Sequence, residues 1–351
     1  MTARNAGEGT RRWFAVGDRR RVGGGDGVPR RGRDDATGEV VSSRPPSGGR
    51  GGRGGKRVAG ENLWGYLFLS PWFLGLFALT LGPMLATLYF SFTDYPLLAA
   101  PEWTGLDNYR TMFFEDSRYR QSLKVTFIYV FLSVPLELVF ALLVAMVLNR
   151  GLQALSLYRA IYYLPSLLGG SVAIAIMWRQ VFGEDGVFNQ FLALFGLDGP
   201  SWVSTPAYAL YTLVLLKVWQ FGSPMVIFLA GLRQVPQQYY DAAAVDGAGR
   251  LTRFFRITIP LITPIIFFNL VFQVIRSFQA FTPAFIVSGG TGGPSDSTLF
   301  YMFYLYQEAF AHFRMGYAAA MAWVLVVIVA SFTAANFLMS RYWVYYEDED
   351  A

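Results

Sequence analysis

Three ionisable residues lie inside long apolar runs of this sequence: Glu137, Lys217 and Arg276. A charge at the centre of a membrane-spanning helix costs about 2.5–3.5 kcal/mol on insertion scales, so it is kept for a task or for a partner. Asn269, Gln273 and Arg276 are spaced i, i+4, i+7, which stacks them on one face of a helix. Gln279 and Gln220 lie nearby in their own segments, among the aromatics Trp219, Phe278 and Phe281. Such a set binds rather than transforms: amides and a guanidinium donate to hydroxyls, and rings lie on the apolar face of a pyranose. We expect the Asn269, Gln273 and Arg276 face to line a solute path, with Gln279, Lys217, Gln220 and Glu137 as further candidates. The plainer role is internal, with Glu137 paired to Lys217 or Arg276 to hold helices together, because buried ion pairs are often only neutralised partners. Both roles stay open here. Arg276 would either favour an anionic solute or neutralise Glu137.

Other chemistry finds little equipment. There is no cysteine and one histidine, His312, which excludes disulfides, thiolate metal sites and histidine metal clusters. No G-x-x-x-x-G-K-[ST] stretch is present to cradle a nucleotide. We therefore expect no catalytic residue, no metal and no cofactor held by this chain.

The elements that must position the polar residues follow from composition. Hydrophobic residues make up 54% and charged residues 15% of the chain, where a soluble domain carries about a quarter charged. The class is an integral membrane protein. Six apolar stretches, near 64–92, 123–148, 160–181, 208–231, 261–287 and 316–340, are each long enough for a helix that needs about 20 residues to cross a bilayer. We expect an all-α fold of six transmembrane helices in a domain covering 58–346. Arginine placement sets the orientation. The 149–159 loop carries Arg150 and Arg159 without an acid, and the 232–260 loop carries Arg233, Arg250, Arg253 and Arg256. The 182–207 loop has Glu184, Asp185 and Asp198 without a base, Arg314 is alone in 288–315, and 93–122 is mixed. Both termini are expected in the cytoplasm.

Residues 1–57 are rich in Arg and Gly and poor in apolar residues, a composition that predicts disorder. The RGGRGGKR tract at 50–57 reads as a cationic tail near anionic lipid rather than a nucleic-acid binder. No signal peptide is expected at the start. A short acidic cytoplasmic tail is expected over 347–351.

The loop 232–260 holds the most specific pattern. Pro236 suits the first turn of a helix, Asp241 to Val245 continue it with little bulk, and Asp246-Gly247 ends it. A second short helix is expected next, with Leu251, Phe254 and Phe255 on one face and Arg250 and Arg253 on another. The result is a compact knob. The run YYDAAAVDGAGRLTRFFRITIPLITP resembles the coupling loop, or EAA motif, of ABC-importer permeases, matching it at Ala242, Ala243, Asp246, Gly247, Ala248, Phe254, Ile257 and Pro260. Asp241 stands where the family has Glu, with the same charge and one methylene less. Tyr163-Leu164-Pro165, the TGLDNY stretch at 104–109 and the GGP and MGY segments within 289–317 are similar to sugar-importer permeases. The resemblance implies a permease subunit moving a sugar or related polyol. It implies as partners a second homologous permease, an ATPase dimer that holds the ATP and Mg, an extracytoplasmic solute-binding protein and membrane lipid. Two other classes remain: a proton-coupled secondary transporter using Glu137, and a membrane enzyme acting on lipid-linked sugar through Asp241 and Asp246. The Ala-rich frame between those two aspartates argues for packing instead.

Overall fold

The computed structural model describes residues 55–150 and 155–345. The expected basic tail falls mostly outside these residues, and the acidic segment 347–351 wholly so. Among the described residues four helices are long and apolar enough to cross a membrane, and two bent helix pairs would raise the number to six if each pair is one span.

The first helix begins at Gly55, and its apolar part, α1, runs Gly65–Phe90 with none of its most apolar window buried inside the chain. A hairpin of two-residue strands follows, Thr93–Asp94 against Glu102–Trp103, and with the isolated bridge between Pro96 and Arg314 it is the strand structure among the described residues. Helix α2 (Ser117–Leu148) is the centre of the bundle. Ser122, Thr126, Tyr129, Ser133, Glu137, Ala141, Ala145 and Leu148 are buried at steps of three and four, the spacing of one helical face. Small residues along that stripe let neighbouring backbones come close, the usual way helices associate in lipid.

The expected third span, 160–181, is not one helix. It divides into α3 (Leu155–Leu168) and α4 (Val172–Val181), turned 94° from each other. Gly169 and Gly170 sit at the break, and the Ser171 hydroxyl accepts the Ile174 amide at 3.3 Å to start α4. The expected fourth span, 208–231, is likewise bent by 42° between α5 (Pro206–Trp219) and α6 (Gly222–Leu232). The two breaks interlock. Gln220 Nε2 donates to the Gly169 carbonyl at 3.2 Å, satisfying a group that the bend frees. A Cβ on Gly169 would lie 2.2 Å from Gln220 Cγ, and one on Gly222 would lie 2.5 Å from the Tyr162 carbonyl oxygen. Contact this close requires glycine.

Beyond α7 (Gln237–Val245), the expected second short helix and fifth span prove to be one element, α8 (Arg250–Phe278). A π-helical turn over Phe254–Thr258 joins them. This α8 stops well short of 287, and Thr282–Val287 forms a separate α9. Helix α10 (Tyr301–Tyr306) buries Tyr301, Phe303 and Tyr304, so this aromatic run serves packing. The last helix, α11 (Met315–Trp343), packs on α1 and α8. α2 packs against α5, α6 and α8, and α3 against α6.

Candidate functional site: a polar seam and an exposed foot

α2, α5 and α8 meet at the charged residues. Lys217 Nζ lies 3.2 Å from Glu137 Oε2, with Glu137 1% and Lys217 13% exposed at the side chain. The ammonium also donates to Gln273 Oε1 at 2.8 Å. Glu137 Oε2 lacks a well-aligned hydrogen bond, so the pair is held by charge rather than by a directed bond. Asn269 and Gln273 are buried beside it. Ser133 Oγ, Asn269 Nδ2 and Ser277 Oγ are buried without partners among the described residues. Orphaned polar atoms of this kind are costly in an apolar interior.

The predicted stripe therefore divides. Asn269 and Gln273 point into the subunit, whereas Arg276 and Gln279 are exposed at its surface. Gln220 is committed to the Gly169 break.

The foot stands at one end of the bundle. Pro236 caps α7, and Gln237 Nε2 donates to Asp241 Oδ1 at 3.0 Å. Gly247 takes φ +77. Its N–H donates to Ala244 O at 3.1 Å, and the Ala248 N–H donates to Ala243 O at 2.9 Å. That double bond pattern with a left-handed glycine is the Schellman ending. Asp241, Ala242, Asp246 and Gly247 are exposed, Ala243 and Ala248 half-buried. Val245, Leu251 and Phe255 project into solvent at 89%, 75% and 65% exposure, an apolar patch with nothing over it. Leu251 and Phe255 share the expected face, while Phe254 is half-buried, as are Ile257 and Pro260. Tyr240 and Thr258 hydroxyls meet at 2.9 Å and tie α7 to the π turn.

The opposite end carries ion pairs that the sequence did not single out. Asp116 caps α2 through the Tyr119 amide and accepts the Tyr304 and Tyr317 hydroxyls at 2.6 Å each. Burial pushes the Asp116 carboxyl up, but these hydrogen bonds and the Arg118 amide outweigh it and hold the group below the usual carboxylate range. Arg118 grips Asp296 through two bonds, at 3.0 and 3.1 Å. Glu308, 2% exposed, takes Arg314 and His312 at 3.0 Å each. Arg179, inside an expected span but not singled out, lines a cavity of about 600 Å³ with Gln180, Glu184 and Asp185.

Comparison with known proteins agrees with this architecture. The profile of the binding-protein-dependent transport system inner membrane component family matches residues 114–343. The chain is 54% identical over 296 residues to the probable ABC transporter permease protein YesP of Bacillus subtilis, covering 84% of this chain and 96% of that one. It is 30% identical to the lactose transport system permease protein LacF of Rhizobium radiobacter, over 79% and 94% of the two chains. In fold it is similar to a chain of a bacterial alginate ABC transporter solved with an alginate-bound periplasmic protein, with TM-score 0.69, 22% identity and coverage of 82% and 97%. A multi-pass protein of the cytoplasmic membrane, the chain belongs to the binding-protein-dependent transport system inner membrane components, the permeases of ABC transporters.

Proposed function

We propose that this permease carries a sugar or related polyol inward, driven by ATP hydrolysis in partner subunits that dock on the α7–α8 foot. Six spans with both termini in the cytoplasm fit the arginine-bearing loops, and this places the foot in the cytoplasm. The observation that carries the reading is the foot itself: the Schellman-ended α7 with Val245 uncovered, followed by α8, whose uncovered Leu251 and Phe255 are continuous with the membrane helix that reaches the seam. Asp241 supplies the charge for that contact. ATP and Mg sit in the ATPase, so this chain needs no cofactor. A second homologous permease and an extracytoplasmic solute-binding protein complete the assembly. Relatives named for sugar transport support the solute class, and Arg276 and Gln279 are the exposed polar groups available to it. Glu137, neutralised by Lys217, is better placed as an internal strut than as a proton carrier.

Gly247→Asp tests the docking. The native chain, co-expressed with its genomic neighbours, should co-purify an ATPase subunit, and the variant should lose both that subunit and transport while still inserting. Normal uptake by the variant would overturn the assignment.

A further inference from the structure

We propose that the acidic segment Glu347, Asp348, Glu349 and Asp350 docks on Arg250, Arg253 and Arg256 of α8, strapping the foot until the ATPase displaces it. Among the described residues no carboxylate lies within 4.0 Å of any of these three arginines. Arg253 Nε is buried without a partner. The chain leading into the acidic segment is anchored on the same helix. Val344 is buried with Phe267 and Val271, the Trp343 ring lies 6.1 Å from that of Phe267, and the Tyr345 amide donates to Thr263 Oγ1 at 2.9 Å.

Reach decides what the segment can touch. Arg256 and Arg253 precede Thr263 by seven and ten residues, about 10 and 15 Å along the helix at 1.5 Å per residue. Asp348 and Asp350 follow Tyr345 by three and five residues, a span of about 10 to 17 Å when extended. The acids therefore reach Arg256 and Arg253 with no slack to spare, and Arg250, thirteen residues or about 20 Å from Thr263, only through the length of its own side chain. Opposite signs on one tether act at high effective concentration, so weak pairs suffice to hold the strap. The strap itself rests on this geometry alone. Its displacement by an ATPase rests on the docking role proposed above.

A chain without cysteine makes the test direct. Thr252→Cys and Ala351→Cys, neither of which removes a charge, are introduced together into the full chain in phosphatidylcholine nanodiscs. A short bismaleimide should link them. The yield should fall severalfold in about 1 M salt, where the screening length shrinks to about 3 Å, and in Glu347→Gln, Asp348→Asn, Glu349→Gln, Asp350→Asn. No link, or an equal yield in the neutral variant, would overturn the strap. Loss of the link on adding anionic lipid would assign the arginines to headgroups instead. Adding the ATPase should then lower the yield. An unchanged yield would leave the strap standing and refute only its displacement.

Discussion

Lys217→Met would leave the Glu137 carboxylate buried with no ion-pair partner within 4.0 Å. Removing one member of a buried pair costs about 3–5 kcal/mol. The expected outcome is a much lower unfolding midpoint in detergent, with most of it regained in Glu137→Gln, Lys217→Met. If the double variant recovers stability but not uptake, the seam belongs to the solute path. At the other end, Asp116 has its carboxyl held below the ordinary range, so its stabilising effect is full above the unfolded pKa and is lost as pH falls through the folded one. Native stability should fall off below about pH 4, and Asp116→Asn should flatten that part of the profile without touching neutral-pH stability ranking among other variants. The contrast explains what was legible. Glu137 and Lys217 stand out because a charge within an apolar run has few reasons to be there. Asp116, Arg118, Asp296 and Glu308 lie where charges are ordinary, and Arg118 finds Asp296 across 178 positions of sequence.

The apolar runs of the sequence report that a segment stays out of water but not its direction. That is why the bundle was readable as spans while the 94° turn at Gly169-Gly170 and the 42° bend at Gln220 were not. Both depend on a neighbour: Gln220 closes the first break, and the Tyr162 carbonyl leaves Gly222 no room for a side chain. The continuity of α8 was hidden for a similar reason, since the short helix expected over 251–255 is set off from the apolar run at 261 by Arg253 and Arg256, and polarity does not show that one helix carries both. The turn at Gly247, by contrast, was legible because a left-handed residue after a helix calls for glycine. Gly222→Ala would force the two broken helices apart at a backbone contact, where overpacking costs about 1–3 kcal/mol. Thermal unfolding of the purified chain should show that loss, and Gly170→Ala, where nothing lies within 4 Å of the added carbon, should show little of it.

α1 packs on α11 near its Gly82–Phe90 end, yet it buries none of its most apolar window within the chain and so offers membrane-facing surface to a neighbour. A subunit with an uncovered span should gain stability from whatever covers it, by mass action. Co-expression with the second permease is expected to raise the unfolding midpoint above that of the chain alone; equal midpoints would mean that lipid alone covers α1. Gln273, which holds the Lys217 ammonium, sits on the same helix as Leu251 and Phe255 of the foot, about 30 Å away at 1.5 Å per residue. Foot and seam are thus two marks on one shaft, and the π turn at Phe254–Thr258 takes up one extra residue between them with little change in their angular phase. Removing one residue there would let the turn relax to α with foot and seam still in phase, whereas removing one from the regular helix beyond it would rotate the foot by about 100° against the seam, turning its apolar patch away from the subunit it is built to meet.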